Sequence, residues 1–77
     1  MTEKQIKRLK NWISSWNQEE LKKDIEICED YFVKGDKEKK EEALAKIDYF
    51  GLTLYHVKLA TYDNLEILNR IKIAFNS

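Results

Sequence analysis

The sequence predicts an all-α protein, a small bundle of three to four antiparallel helices. Three observations carry this. Proline is absent and only two of the 77 residues are glycine, whereas a turn-rich β fold draws heavily on both. The stretch Lys39 to Lys46, KKEEALAK, is built almost wholly from strong helix formers. Apolar residues also recur at three- and four-residue steps in successive stretches of the chain.

The first helix is expected over residues 3–16. Thr2 followed three residues later by Gln5 fits a capping box at its start. Ile6, Leu9, Ile13 and Trp16 form one stripe with Trp12 beside it, and Lys4, Lys7, Arg8 and Lys10 occupy the other face. The second helix is expected over 18–33, capped by Asn17, with Glu19, Glu20 and Asp24 near its positive end. Its stripe is Leu21, Ile25, Cys28 and Phe32, broadened by Ile27 and Tyr31. Lys34-Gly35-Asp36 stops it, glycine supplying the left-handed residue and Asp36 capping the next helix.

The third helix is expected over 37–60, with a bend allowed at Gly51. Residues 36–42 are polar all round and read as solvated opening turns. Ile47 to Tyr62, IDYFGLTLYHVKLATY, is the densest apolar and aromatic run. At helical spacing Leu44, Ile47, Gly51, Leu54 and Lys58 make one stripe. Asp48, Leu52, Tyr55, Leu59 and Tyr62 make the next, so the apolar sector is unusually wide. Period-two alternation fails because its phase slips at Leu54–Tyr55. Gly51 either ends a helix or lies within a long one, where it admits a close neighbour; the long helix is favoured. Thr61 or Asp63 caps a fourth helix over 63–75, with Leu65, Leu68, Ile71 and Phe75 as its stripe. Residues 71–75 also alternate as a short strand would.

One domain, residues 1–77, is expected, with a core near the lower limit for independent folding. Fourteen basic and fourteen acidic side chains cancel, which removes a general field toward nucleic acid or an anionic membrane. The charge is uneven: residues 1–17 carry four basic and one acidic side chain, and residues 18–33 carry two basic and six acidic ones. Paired antiparallel, the first two helices could set these faces side by side. One cysteine forms no internal disulfide. The first ten residues lack a signal peptide's apolar core, and no run reaches membrane-spanning length. A cytoplasmic location is the resulting expectation.

No catalytic or metal-ligating set is expected. Cys28 and His56 each stand alone as soft or imidazole ligands, and zinc needs three or four at suitable spacing. Cys28 lies on an apolar stripe among carboxylates that would raise its pKa, opposite to what a nucleophilic thiolate needs. There is no glycine-rich phosphate loop and no nucleophile elbow. No cofactor and no small-molecule ligand are expected.

Two tryptophans, four tyrosines and three phenylalanines are more than so small a core can hide, and aromatics dominate interaction hot spots. Trp12, Trp16, Tyr49, Tyr55, Leu59 and Tyr62 are therefore the expected protein-interaction residues. The expected partner is a second copy of the chain, as a homodimer, or another protein. A competing reading rests on Gly51-Leu52-Thr53 with Val57. This resembles the turn and second helix of a helix-turn-helix DNA reader, where a glycine precedes an apolar residue, a Ser or Thr, and a buried valine. The position four before the glycine, small in that motif, is Ile47 here. The resemblance implies a nucleic-acid-binding regulator using Thr53 and Lys58, supplemented by Lys4, Lys7, Arg8 and Lys10 on phosphates.

Overall fold

The computed structural model describes residues 1–77 as four α-helices with no strand. They are α1 (Glu3–Ile13), α2 (Gln18–Phe32), α3 (Lys40–His56) and α4 (Asn64–Phe75), with a 3₁₀ turn at Lys37–Lys39 leading into α3. The alternation at 71–75 is thus helical. The four pack into a small bundle measuring 36 × 25 × 17 Å.

Local side-chain chemistry sets the helix starts. Thr2 and Gln5 form the complete reciprocal capping box. Asn17 accepts from the Glu20 N–H, Asp36 from the Glu38 N–H, and Asp63 from the N–H groups of Leu65 and Glu66. Each carboxylate or amide satisfies a backbone donor that the first turn leaves without a partner. Gly35, at φ 75°, reverses the chain after α2 in the left-handed conformation that glycine adopts at least cost.

Two helices stop earlier than their apolar patterns suggest. The first ends at Ile13 rather than Trp16, and the Gln18 side-chain amide donates to the carbonyls of Ile13 and Trp16. The third ends at His56 rather than at residue 60. There the Leu59 N–H reaches the Leu54 carbonyl and the Lys58 N–H reaches that of Tyr55, the paired bonds of a Schellman turn. Lys58 takes the left-handed position at φ 61°. The turn folds Leu59 back beside Leu54, and both are buried.

The core draws on every helix. Leu9 and Ile13 come from α1, Leu21, Ile25 and Cys28 from α2, Ile47, Phe50 and Leu54 from α3, and Leu68, Ile71 and Ala74 from α4. Trp16, Phe32 and Phe75 close its edges, half-buried. Gly51 lies inside α3, and Ile67 of α4 crosses over it: an added Cβ would stand 3.4 Å from the Ile67 Cδ1.

The basic first helix does not pair with the acidic second. α1 packs chiefly on α4, and the Lys10 ammonium donates to the Phe75 carbonyl at 3.1 Å. The acidic side of α2 is neutralised from elsewhere, by Lys46 of α3 on Asp24 at 3.4 Å and by Lys72 of α4 on Glu29 at 3.1 Å. Apolar burial decides which helices meet, because partly exposed ion pairs of this kind contribute about 1 kcal/mol or less.

Candidate functional site: an aromatic belt on α1 and α3

The wide apolar sector of α3 divides in two. One side, Ala43, Ile47, Phe50 and Leu54, faces the core. The other leaves Tyr49 55%, Leu52 58% and Tyr55 68% exposed, and α1 adds Trp12 at 47%. These side chains are in register with one another. The indole of Trp12 lies parallel to the imidazole of His56, with ring centroids 5.9 Å apart and planes at 13°. Trp16 tilts against Tyr49 at 5.2 Å, and Tyr55 meets His56 in an edge-on arrangement at 6.1 Å. Stacks of this geometry contribute about 0.5–1.5 kcal/mol each beyond area burial. They pin the end of α1 across α3 and fix the rings as one surface.

The belt continues toward the α3–α4 connection. Leu52 and Tyr55 form one wall of a groove of about 340 Å³, and Ala60 and the wholly exposed Tyr62 form the other. Gly51 and Ile67 also line it, so the groove lies over the close crossing of α3 and α4. Arg70 braces the connection from below, donating to the Leu59 carbonyl at 2.7 Å and pairing with Glu66 at 3.0 Å.

Of the expected interaction residues, Trp12, Tyr49, Tyr55 and Tyr62 are at the surface and Trp16 is half-buried. Leu59 is 4% exposed and belongs to the core. Its place on the same helical stripe as Tyr55 holds only while the helix continues, and the Schellman turn ends the helix before it. Leu52 and His56 are belt residues that the expected set omitted. Leu52 was legible in the width of the apolar sector, whereas His56 becomes part of the surface only through Trp12.

The nucleic-acid set is not brought together as a helix-turn-helix. That motif needs a turn at Gly51, and α3 runs through Gly51 as continuous helix. Thr53 is 3% exposed and donates its hydroxyl to the Tyr49 carbonyl, so it presents nothing to a base edge. Lys58 sits in the left-handed turn, while Lys4, Lys7 and Arg8 are exposed on α1.

Cys28 is buried, its Sγ 3.8 Å from the Ala43 carbonyl oxygen. Burial pushes the thiol up to about 12, the Asp24 carboxylate adds to the shift, and Lys46 opposes it. Such a thiol is held neutral and does not act as a nucleophile at ordinary pH. No three His, Cys, Asp or Glu side chains converge to hold a metal ion, and no helix is long and apolar enough to cross a membrane.

Fold and surface together define a four-helix bundle with an exposed aromatic belt. No protein-family model, no curated protein and no solved structure matches the chain.

Proposed function

We propose that this chain is a small non-enzymatic protein-interaction module, of the regulator, inhibitor, immunity or adaptor kind. It acts through the aromatic belt and self-associates there. The observation that carries the reading is the continuity of Trp12, His56, Tyr55, Leu52 and Tyr49 across two helices at high exposure. Aromatic clusters left open on small bundles are the usual anchors of protein interfaces, since each ring covers much area at little rotamer cost. The cytoplasm is its proposed setting, where the one buried thiol stays reduced.

The test is solution mass by light scattering across a concentration series, on the wild-type chain and on Trp12→Ala and Tyr55→Ala. Each variant is expected to weaken assembly about tenfold or more, which corresponds to about 1.4 kcal/mol. The melting temperature should fall by about 5–10 °C, the cost of one lost ring stack in a chain of this length. If both variants lose folding stability and leave assembly unchanged, the rings are structural and the reading fails. Association is also expected to be nearly flat between roughly 50 and 200 mM salt, whereas phosphate-driven nucleic-acid binding falls steeply over that range.

A further inference from the structure

Resting on that reading, we infer that the belt is covered by a second copy of this chain, docked with the two α3 helices antiparallel and a two-fold axis at Leu52. In an isologous interface each residue meets the one equally far on the other side of the axis. With Leu52 on the axis, Tyr49 meets Tyr55 of the second copy, three residues to either side. Asp48 meets His56 of the second copy, four residues to either side and about 6 Å from the axis at 1.5 Å per residue.

Charge selects this register. Asp48 is exposed on the same face as Leu52 and has no cation of its own chain within 4 Å. An axis at Asp48 would set two carboxylates against each other in a surface being dried, which is destabilising. The axis at Leu52 gives each carboxylate an imidazole instead, twice over. The tyrosines suit the same arrangement. A phenol both donates and accepts, so a Tyr–Tyr contact is self-complementary where a one-sided donor is not.

The area is also that of a dimer. Taking about 150–250 Å² for a whole large side chain, the exposed parts of Trp12, Tyr49, Leu52, Tyr55 and Tyr62 amount to roughly 500–800 Å². A standard interface covers about 800 Å² on each partner. A smaller patch would not offset the loss of translational and rotational freedom on association.

The experiment is site-directed cross-linking of Leu52→Cys in the full chain with copper-phenanthroline as oxidant. The native Cys28 is buried and stays out of the reaction. A covalent dimer is expected from Leu52→Cys and none from Lys23→Cys, an exposed position on α2. Asp48→Lys is expected to raise the dimer dissociation constant about tenfold, and Asp48→Asn, which keeps the shape and loses the charge, to raise it less. Both variants are exposed-site changes, and circular dichroism checks that they fold. If the wild type associates and Trp12→Ala dissociates it, but Leu52→Cys forms no covalent dimer, the two-fold arrangement is wrong while the belt reading stands. A wild type that remains monomeric up to about 1 mM overturns the second copy as occupant. That outcome also removes the self-association proposed above, whereas a missing cross-link in a wild type that does associate removes only the two-fold arrangement.

Discussion

Cys28 shows how one side chain can be followed from pattern to measurement. Its place on the stripe of α2, four residues from Phe32 and three from Ile25, made its burial legible. The consequence is chemical. The thiol titrates near 9.0 when unfolded and is pushed up to about 12 when folded. Below pH 9 both states hold the proton, and this group adds no pH dependence. Between pH 9 and 12 the unfolded chain has released it while the folded chain keeps it, so stability falls as pH rises through that window. Cys28→Ala is expected to flatten this part of the slope in denaturant titrations run at successive pH values. It should also cost about 1 kcal/mol at neutral pH for the lost volume. Against a thiol-specific disulfide reagent at pH 8, the native protein should react only as fast as the core opens. Gly51 gives a second residue-scale case. Sequence favoured an interior site over a helix stop, and α3 does run unbroken through it. The interior contact with Ile67 at 3.4 Å is ordinary packing against a flexible side-chain tip. Gly51→Ala is therefore expected to raise stability by up to about 1 kcal/mol through helix propensity, a rise of several degrees in melting temperature. A larger residue such as leucine should lower it by driving α4 off α3.

At the scale of elements, the capped starts and the ends of α2 and α4 were legible, and the ends of α1 and α3 were not. The starts of α1, α2 and α4 each depend on one polar side chain and a backbone N–H two or three residues away, so Thr2, Asn17 and Asp63 announce themselves locally, whereas α3 follows from the 3₁₀ turn with no side-chain cap of its own. The end of α3 has no such signal. Position 58 holds lysine where glycine is the common choice, and the helix stops because Leu59 is drawn back into the core while Arg70 holds its carbonyl. That termination is a tertiary event, and the mistaken assignment of Leu59 to the surface stems from it. A lysine at φ 61° costs roughly 1 kcal/mol relative to a residue free of Cβ. Lys58→Gly is accordingly expected to stabilise the protein by about that amount, readable as a raised denaturant midpoint with an unchanged m value. A loss of stability would mean that the lysine stem packs against the turn.

For the whole molecule, charge was a poor guide to which helices meet, and apolar width was a good one. The basic and acidic faces of α1 and α2 suggested partners, yet ion pairs at partly exposed sites are too weak to choose a topology. The surplus apolar width of α3 did point to an exposed surface, and four of the six residues expected there lie fully at it. What sequence did not convey is that Trp12 and His56 meet. Their contact joins two helices far apart in the chain, and no spacing rule reaches that distance.

The packing of α1 on α4 has a kinetic consequence. Lys10 and Phe75 stand 65 residues apart, so the first helix finds its seat only after the rest of the chain has been made and gathered. Closing so long a loop is entropically costly, whereas α2, α3 and α4 meet their neighbours in sequence and can assemble early. The first helix should therefore dock last and leave first. Native-state hydrogen exchange is expected to show the amides of α1 opening at lower free energy than those of α3, and equal protection in the two helices would contradict this order. Because Trp12 rides on α1, each such excursion would take the indole off His56, and the complete aromatic belt would exist only for the fraction of time that the first helix is seated.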